Sequence, residues 1–292
     1  MSIDLHIHST NSDGSNTIAE IIKKSKDLQL QAISVTDHEY LTTVQPEEGL
    51  EIIPGVEISV AWEDLDKENI FSGTHLLVYF ITKDSEINNH LESIRVKKIK
   101  RNYEIIDNLK LLGVEIKKED LDMYETKVPG RPHIAELLVK NNYVKNIPEA
   151  FGKYLGNGQL KDINKHQEDI ITIIDLAKSS NCLVFLAHPH TLMSDSKYSR
   201  NNNWINNKFY ELISELSSYG LDGIETFYPG YSVSNIDKLK KIAIDNNLLM
   251  SGGSDFHGDK KPKNQLGIGY EDSPINVPYE LLTSMKQRQA HI

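Results

Sequence analysis

The chain has 292 residues, of which 39% are hydrophobic, and a formal net charge of -10 at pH 7. That length suits one large α/β domain with an insertion, or two domains, and the acidic balance excludes wrapping a long nucleic acid by charge alone. The single cysteine, Cys182, excludes an internal disulfide, and no apolar run reaches the roughly 18 residues that span a bilayer.

The first expected strand is Asp4-Leu5-His6-Ile7-His8. Alternate side chains of a strand share a face, so His6 and His8 point one way while Leu5 and Ile7 point the other. A polar loop with Asp13 and Gly14 leads to Thr17-Ile18-Ala19-Glu20, a capping box opening a helix with Ile18, Ile21, Ile22 and Leu28 at helical spacing. Residues 32–36 read as a strand ending in Asp37-His38, which completes a parallel β-α-β unit. The segment 40–49 leaves little room for a helix before strands at 50–53 and around Glu57, and another strand covers 74–80 with His75 near its start. The β-α rhythm then stops. A long helix at 87–112, a short strand and helix at 114–124, the break Pro129-Gly130-Arg131-Pro132, a helix at 133–140 and a short helical pair at 143–155 read as a helical insertion over 87–165. The rhythm returns with helices at 169–179, 209–219 and 236–246 between strands at 183–187, 223–227 and 248–252. These strands lead into His188-Pro189-His190, Glu225 and Gly253-Ser254-Asp255-Phe256-His257, and Cys182 belongs to a buried-strand pattern as a core filler. Residues 1–86 and 166–292 would form one α/β body, and a polar Asn201-Asn202-Asn203 loop interrupts it.

His6, His8, Asp13, His38, Glu57, His75, His188, Asp255 and His257 each follow an apolar run. Parallel α/β proteins build their sites just past the C-terminal ends of strands, and scattered surface histidines would not keep falling there. Imidazoles mixed with carboxylates suit manganese, iron(II) or zinc rather than a thiol-preferring metal. At roughly four to six bonds per ion, this set implies two or three divalent ions. Closely spaced cations lower the pKa of a shared water, aim it at phosphorus and take up phosphoryl charge, so a phosphate ester is the best substrate class, although amide hydrolysis uses similar metals. Arg131 and His133 suit a phosphate clamp; by residue type alone they read as the charged start of an exposed helix. Lys97, Lys98 and Lys100 read as a solvated helix face, Glu225 as an acid that orients a ligand or is structural, and His190 as a neighbour of the cluster or a loop residue. His90, His166 and His291 have no supporting context.

The motifs Asp4-Leu5-His6-Ile7-His8-Ser9, Ser12-Asp13-Gly14, Thr36-Asp37-His38, Pro54-Gly55-Val56-Glu57, Ala187-His188-Pro189 and Gly253-Ser254-Asp255-Phe256-His257 together resemble the PHP (polymerase and histidinol phosphatase) superfamily over nearly the whole chain. The resemblance implies a distorted, TIM-like (β/α)7 barrel with a small helical cap and a trinuclear metal centre. It assigns His6, His8, Glu57 and Asp255 to one ion, Asp13, His38 and His257 to a second, and the bridging Glu57 with His75 and His188 to a third. Gly130-Arg131-Pro132-His133-Ile134-Ala135 resembles one branch, in which the insertion caps the site and the Arg and His bind substrate phosphate. Two departures stand out. The segment 40–49 is shorter than the helix relatives carry, and Gly158-Gln159-Leu160 and Tyr231-Ser232 replace an aromatic-Val pair and a His that relatives often have.

The expected activity is therefore hydrolysis of phosphate monoesters of small nucleotides, by a hydroxide shared between metals. The substrate would be a nucleoside 3′,5′-bisphosphate, a nucleoside monophosphate or a short oligoribonucleotide, with two to four nucleotides of single-stranded RNA as the upper range. The alternatives are a histidinol-phosphate-type phosphatase and a metal-binding module without turnover. A cytoplasmic location, no membrane and no obligate protein partner are expected.

Overall fold

The computed structural model describes residues 2–62, 74–156, 159–160, Ile163, 167–193 and 204–291. The insertion's expected end at 165/166, His166, Gly158 and the Asn201–Asn203 loop lie outside these residues.

Strand β1 (Asp4–Ile7) is followed by helix α1 (Ile18–Asp27), β2 (Ala32–Val35), β3 (Glu51–Ile52), β4 (Gly55–Ala61) and β5 (His75–Tyr79). Thr17 and Glu20 form the expected capping box of α1, and no helix occupies 40–49. After helix α2 (Glu86–Leu111) come α3 (Arg131–Lys140) and α4 (Ile147–Ala150), then β6 (Glu168–Asp169), α5 (Ile170–Ser179) and β7 (Leu183–Leu186). The chain ends with α6 (Asn207–Tyr219), β8 (Gly223–Phe227), α7 (Val233–Asp245), β9 (Leu249–Gly252), the hairpin β10 (Gly269–Tyr270) and β11 (Ser273–Pro274), and α8 (Tyr279–Gln289). No helix among the described residues is long and apolar enough to cross a membrane.

The fold is α/β, but among the described residues the strands do not form one continuous ring. A three-stranded sheet, β1-β2-β3, and a six-stranded sheet, β6-β4-β5-β7-β8-β9, meet through single parallel bridges, Ile7 with Phe256 and His38 with Glu57. Nor is the larger sheet wholly parallel, since β5 runs against both β4 and β7. Parallel neighbours need a crossover, and none is present among the described residues between β4 and β5.

Side-chain alternation on β4 and β5 fixes the layers. Val56, Ile58 and Val60 join Leu76 and Val78 in a core beneath α5 and the first half of α2, where Ile87, Leu91 and Ile94 pack. Leu77 and Tyr79 face the other way, onto Ile3, Leu5, Phe185 and residues Leu282 and Met285 of α8. Glu57 pairs in register with Leu77, so its carboxylate is on this inner side. The second half of α2 belongs to a separate cluster in which Ile105, Ile106 and Leu109 meet Ile134, Leu137 and Leu138 of α3. One helix therefore runs from the sheet layer into the cluster built around α3.

The short strand expected within 114–124 is absent. Val114 and Ile116 alternate as strand residues would, but they pack into the cluster around α3, and the Asp120 carboxylate accepting from Lys117 N (2.8 Å) turns the chain into a 3-10 helix over Lys118–Met123. The terminal helix α8 and the hairpin had no sequence-based expectation. Cys182 is fully buried in the core, as its pattern indicated.

Candidate metal centre

The first and last strands deliver the motifs to one place. His6 is on β1 and His8 just beyond it, with ring centroids 5.3 Å apart. Gly253, after β9, lies so close to β1 that a Cβ there would sit 2.4 Å from the His6 backbone nitrogen. Asp255 takes a left-handed backbone (φ 50°), and Phe256 turns into the core beside Ile7. His257 then comes back against His8, with ring centroids 4.1 Å apart.

Glu57 is the hub. Its Oε2 lies 3.3 Å from His6 Nε2, 3.0 Å from His8 Nε2 and 3.3 Å from His38 Nδ1. Its Oε1 lies 2.7 Å from His75 Nδ1 and 2.9 Å from His188 Nε2. Asp255 Oδ1 lies 3.7, 3.5 and 3.4 Å from His6, His8 and His257. Asp13 stands 3.7 Å from His38, 3.3 Å from His257 and 3.7 Å from His8. All nine residues singled out in the sequence thus converge on one cluster.

The donor set fits divalent cations. His8, Asp13, His38 and His257 offer atoms within 4.8 Å of one another, as do His6, His8 and Glu57, and His38, Glu57 and His75. Buried polar atoms ordinarily have hydrogen-bond partners, yet His6 Nε2, His8 Nε2, Asp13 Oδ1 and His38 Nδ1, although in ion-pair range of Glu57 or His257, make no hydrogen bond of acceptable geometry. Burial would raise the carboxyl pKa of Glu57, Asp13 and Asp255, but the surrounding cations and imidazoles hold all three well below the usual carboxylate range. Burial lowers His38 to about 3 and also depresses His188, which keeps both rings neutral and able to donate a lone pair. Burial works against protonation of His6 too, but Glu225 and Glu57 outweigh it and raise that ring well above its ordinary value.

Outer residues hold the clustered side chains in place. Glu225 Oε1 is 2.9 Å from His6 Nδ1, and its Oε2 accepts from His188 N (2.6 Å). Glu225→Gln should weaken metal affinity about 10- to 100-fold, the usual cost of losing such a partner, measured by titration of the metal-free protein. Asp37 accepts from Ser9 N (2.8 Å), Ser9 Oγ (2.6 Å), Ser12 Oγ (2.5 Å) and Thr42 Oγ1 (2.5 Å), which shapes the loop bearing Asp13. Asp4 ties β1 to Ser254 (2.9 Å to its N) and Gly267 (2.7 Å). His190 accepts or donates at Nδ1 to Tyr231 OH, 2.8 Å away.

A cavity of about 240 Å³ opens over the cluster, with Asp13, His38 and His75 on its floor. Lys98, Arg101, Arg131 and His133 line its wall, beside the apolar Ile105, Val128, Phe151 and Leu160. Gly130 caps α3, and its N–H donates to His133 Nδ1 (3.0 Å), which leaves Nε2 to carry the proton of the neutral ring. Burial lowers the pKa of His133, favouring that neutral form. Burial and the like charge of Arg131 bring Arg101 down to about 10, and burial lowers Arg131 as well.

Lys98 corrects the reading of a solvated helix face: its ammonium pairs with the fully buried Glu39, next to His38. Arg101 carried no expectation. The apolar stripe Ile87, Leu91, Ile94, Ile105, Leu109 is interrupted by Lys98, Arg101 and Asn102, and cations inside a buried stripe were the signal available. Asn102 also anchors the Arg131 segment through Pro129 O (2.7 Å).

Fold and site together define an α/β protein with a His- and carboxylate-rich cluster able to hold metal beneath a cavity lined by Lys98, Arg101 and Arg131. The PHP-domain family model matches residues 4–223, and the chain belongs to that family. It is 28% identical over 261 residues to a 5′-3′ exoribonuclease of Haemophilus influenzae, covering 87% of this chain and 89% of the relative. It is 24% identical over 284 residues to a 3′,5′-nucleoside bisphosphate phosphatase of Chromobacterium violaceum, covering 94% of each. A solved structure from Bifidobacterium adolescentis, assigned as a metal-dependent phosphoesterase, superposes with a TM-score of 0.74 at 24% identity over 98% of this chain and 96% of that one, a likeness of fold.

Proposed function

We propose that this protein is a metal-dependent phosphoesterase that hydrolyses phosphate monoesters of small nucleotides. The observation that carries this reading is the juxtaposition, in one cavity, of Asp13, His38 and His75 with Arg101, Arg131 and His133. His6, His8, Glu57 and Asp255 would hold one divalent ion, Asp13, His38 and His257 a second, and Glu57, His75 and His188 a third; manganese, iron and zinc all suit these donors. Bound cations would activate water and neutralise charge developing on phosphorus. Arg131 and Arg101 would grip a substrate phosphate, with His133 donating from Nε2.

The cavity's volume is below the several hundred Å³ of sites that enclose drug-sized ligands. That favours a nucleoside bisphosphate or monophosphate, with its base against Ile105, Phe151 and Leu160, over a long strand. We take 87–165 as the cap over the site, and the two bridged sheets as an incompletely closed form of the (β/α)7 barrel. A cytoplasmic setting suits a chain with one buried cysteine. The relative from Haemophilus favours a second reading, release of 5′ nucleotides from a short oligoribonucleotide.

A panel of adenosine 3′,5′-bisphosphate, AMP, a trinucleotide with a 5′-phosphate, histidinol phosphate and an aryl phosphate, each with manganese, tests the reading. Turnover of the bisphosphate above the rest is expected. Preference for the trinucleotide would favour the second reading, and no release of phosphate or nucleotide from any of them would overturn both.

A further inference from the structure

Asp255 is held on two sides, and only one of them faces the candidate metal ligands. Oδ1 looks toward His6, His8 and His257. Oδ2 accepts the Tyr228 hydroxyl (2.7 Å) and the Lys261 ammonium (2.9 Å). The two donors occupy the outer oxygen, so the carboxylate cannot swing round to offer both oxygens inward without breaking two charge-assisted hydrogen bonds. The backbone of Asp255 lies at φ 50°, a conformation that needs such support.

Tyr228 reaches a second ligand as well. Its ring packs on His188 with centroids 5.7 Å apart and planes inclined by 70°. It also abuts His190 (5.4 Å) and Tyr231 (5.4 Å), and Trp204 backs Tyr231. Tyr228 is 3% exposed and is not among the described residues of the cavity wall, so it touches ligands and not the space for substrate.

We propose that Tyr228 and Lys261 are positioning residues that make Asp255 a one-oxygen metal ligand, and that Tyr228 also sets the His188 ring. Neither was singled out by its sequence context. Tyr228 immediately follows β8, the strand that supplies Glu225, so one strand end supports His6, His188 and Asp255. This inference rests on the reading of the cluster as a metal centre.

The test is manganese binding to metal-free protein, by calorimetry and by metal analysis after dialysis, for the wild type, Tyr228→Phe and the control Tyr279→Phe. Tyr279 also donates its hydroxyl to a carboxylate, Glu51 Oε2 at 2.7 Å, but in the Lys286 pair on α8 and not at the cluster. Tyr228→Phe should weaken the binding of at least one ion about 10- to 100-fold, with KM for a phosphate ester within about twofold and kcat reduced. Tyr279→Phe should bind as the wild type does. Unchanged affinity and stoichiometry in Tyr228→Phe would overturn the proposal while leaving the metal centre intact. A wild type that binds no ion would overturn the metal-centre reading itself. If Tyr228→Phe unfolds, Lys261→Met at the half-exposed partner carries the test: a loss of affinity supports the clamp, and affinity equal to or above that of the wild type opposes it.

Discussion

Glu57→Gln is expected to lower kcat/KM for a phosphate ester by at least about 10³-fold, roughly 4 kcal/mol of transition-state stabilisation, and to lower the number of bound ions. No other side chain in the cluster meets so many candidate ligands: both of its oxygens are engaged, by His6, His8 and His38 on one side and by His75 and His188 on the other. An amide is nearly isosteric, but it loses the charge, and its NH2 group has no lone pair to offer a cation. The fold should survive, because the neighbours that anchor β4, Val56 and Ile58, face the opposite layer and keep their packing. Metal analysis, circular dichroism and turnover on the same preparation separate these effects. Full metal content with near-normal turnover would remove Glu57 from its bridging place.

The clustered residues were legible in the sequence because most belong to short motifs in or beside a strand, where alternation alone says which side chains share a face, although Glu57 lies within β4 and Asp13 in a loop. His6 with His8, and Asp255 with His257 around an inward Phe256, needed no long-range information. Their outer partners were not legible in the same way. Asp37 shapes the Asp13 loop through Ser9, Ser12 and Thr42, and a hydrogen-bond set spanning the first three motifs has no periodic signature. Tyr228 and Lys261 meet at Asp255 only because β8 and the loop after β9 lie side by side. The architecture was legible to the same degree. Helix and strand alternation gave the α/β class, but the antiparallel course of β5 and the breaks between the two sheets depend on pairings between strands that no local pattern encodes.

Arg131→Ala is expected to lower kcat/KM for a nucleoside bisphosphate about 10²- to 10³-fold, chiefly through KM, with metal content unchanged. The magnitude follows from two charge-assisted hydrogen bonds to phosphate at about 1.5–3 kcal/mol each, reduced by water that fills the vacated space. The direction follows from the wall around it. Arg131 and Arg101 are both partly withdrawn from solvent, and the charge of Arg131 bears on Arg101. Nearby Lys98 is already committed to Glu39, so it does little to offset an incoming anion's charge. A phosphate between the guanidiniums relieves that repulsion, and the two side chains should therefore act as a unit. Arg101→Ala should be similarly impaired, and the double variant should lose less than the two single losses added together, a coupling of at least about 0.5 kcal/mol. Kinetics of the four proteins on the bisphosphate and on an aryl phosphate complete the cycle. Strict additivity would mean that the two arginines bind separate groups, and unchanged kinetics in Arg131→Ala would mean that the insertion takes no part in holding substrate.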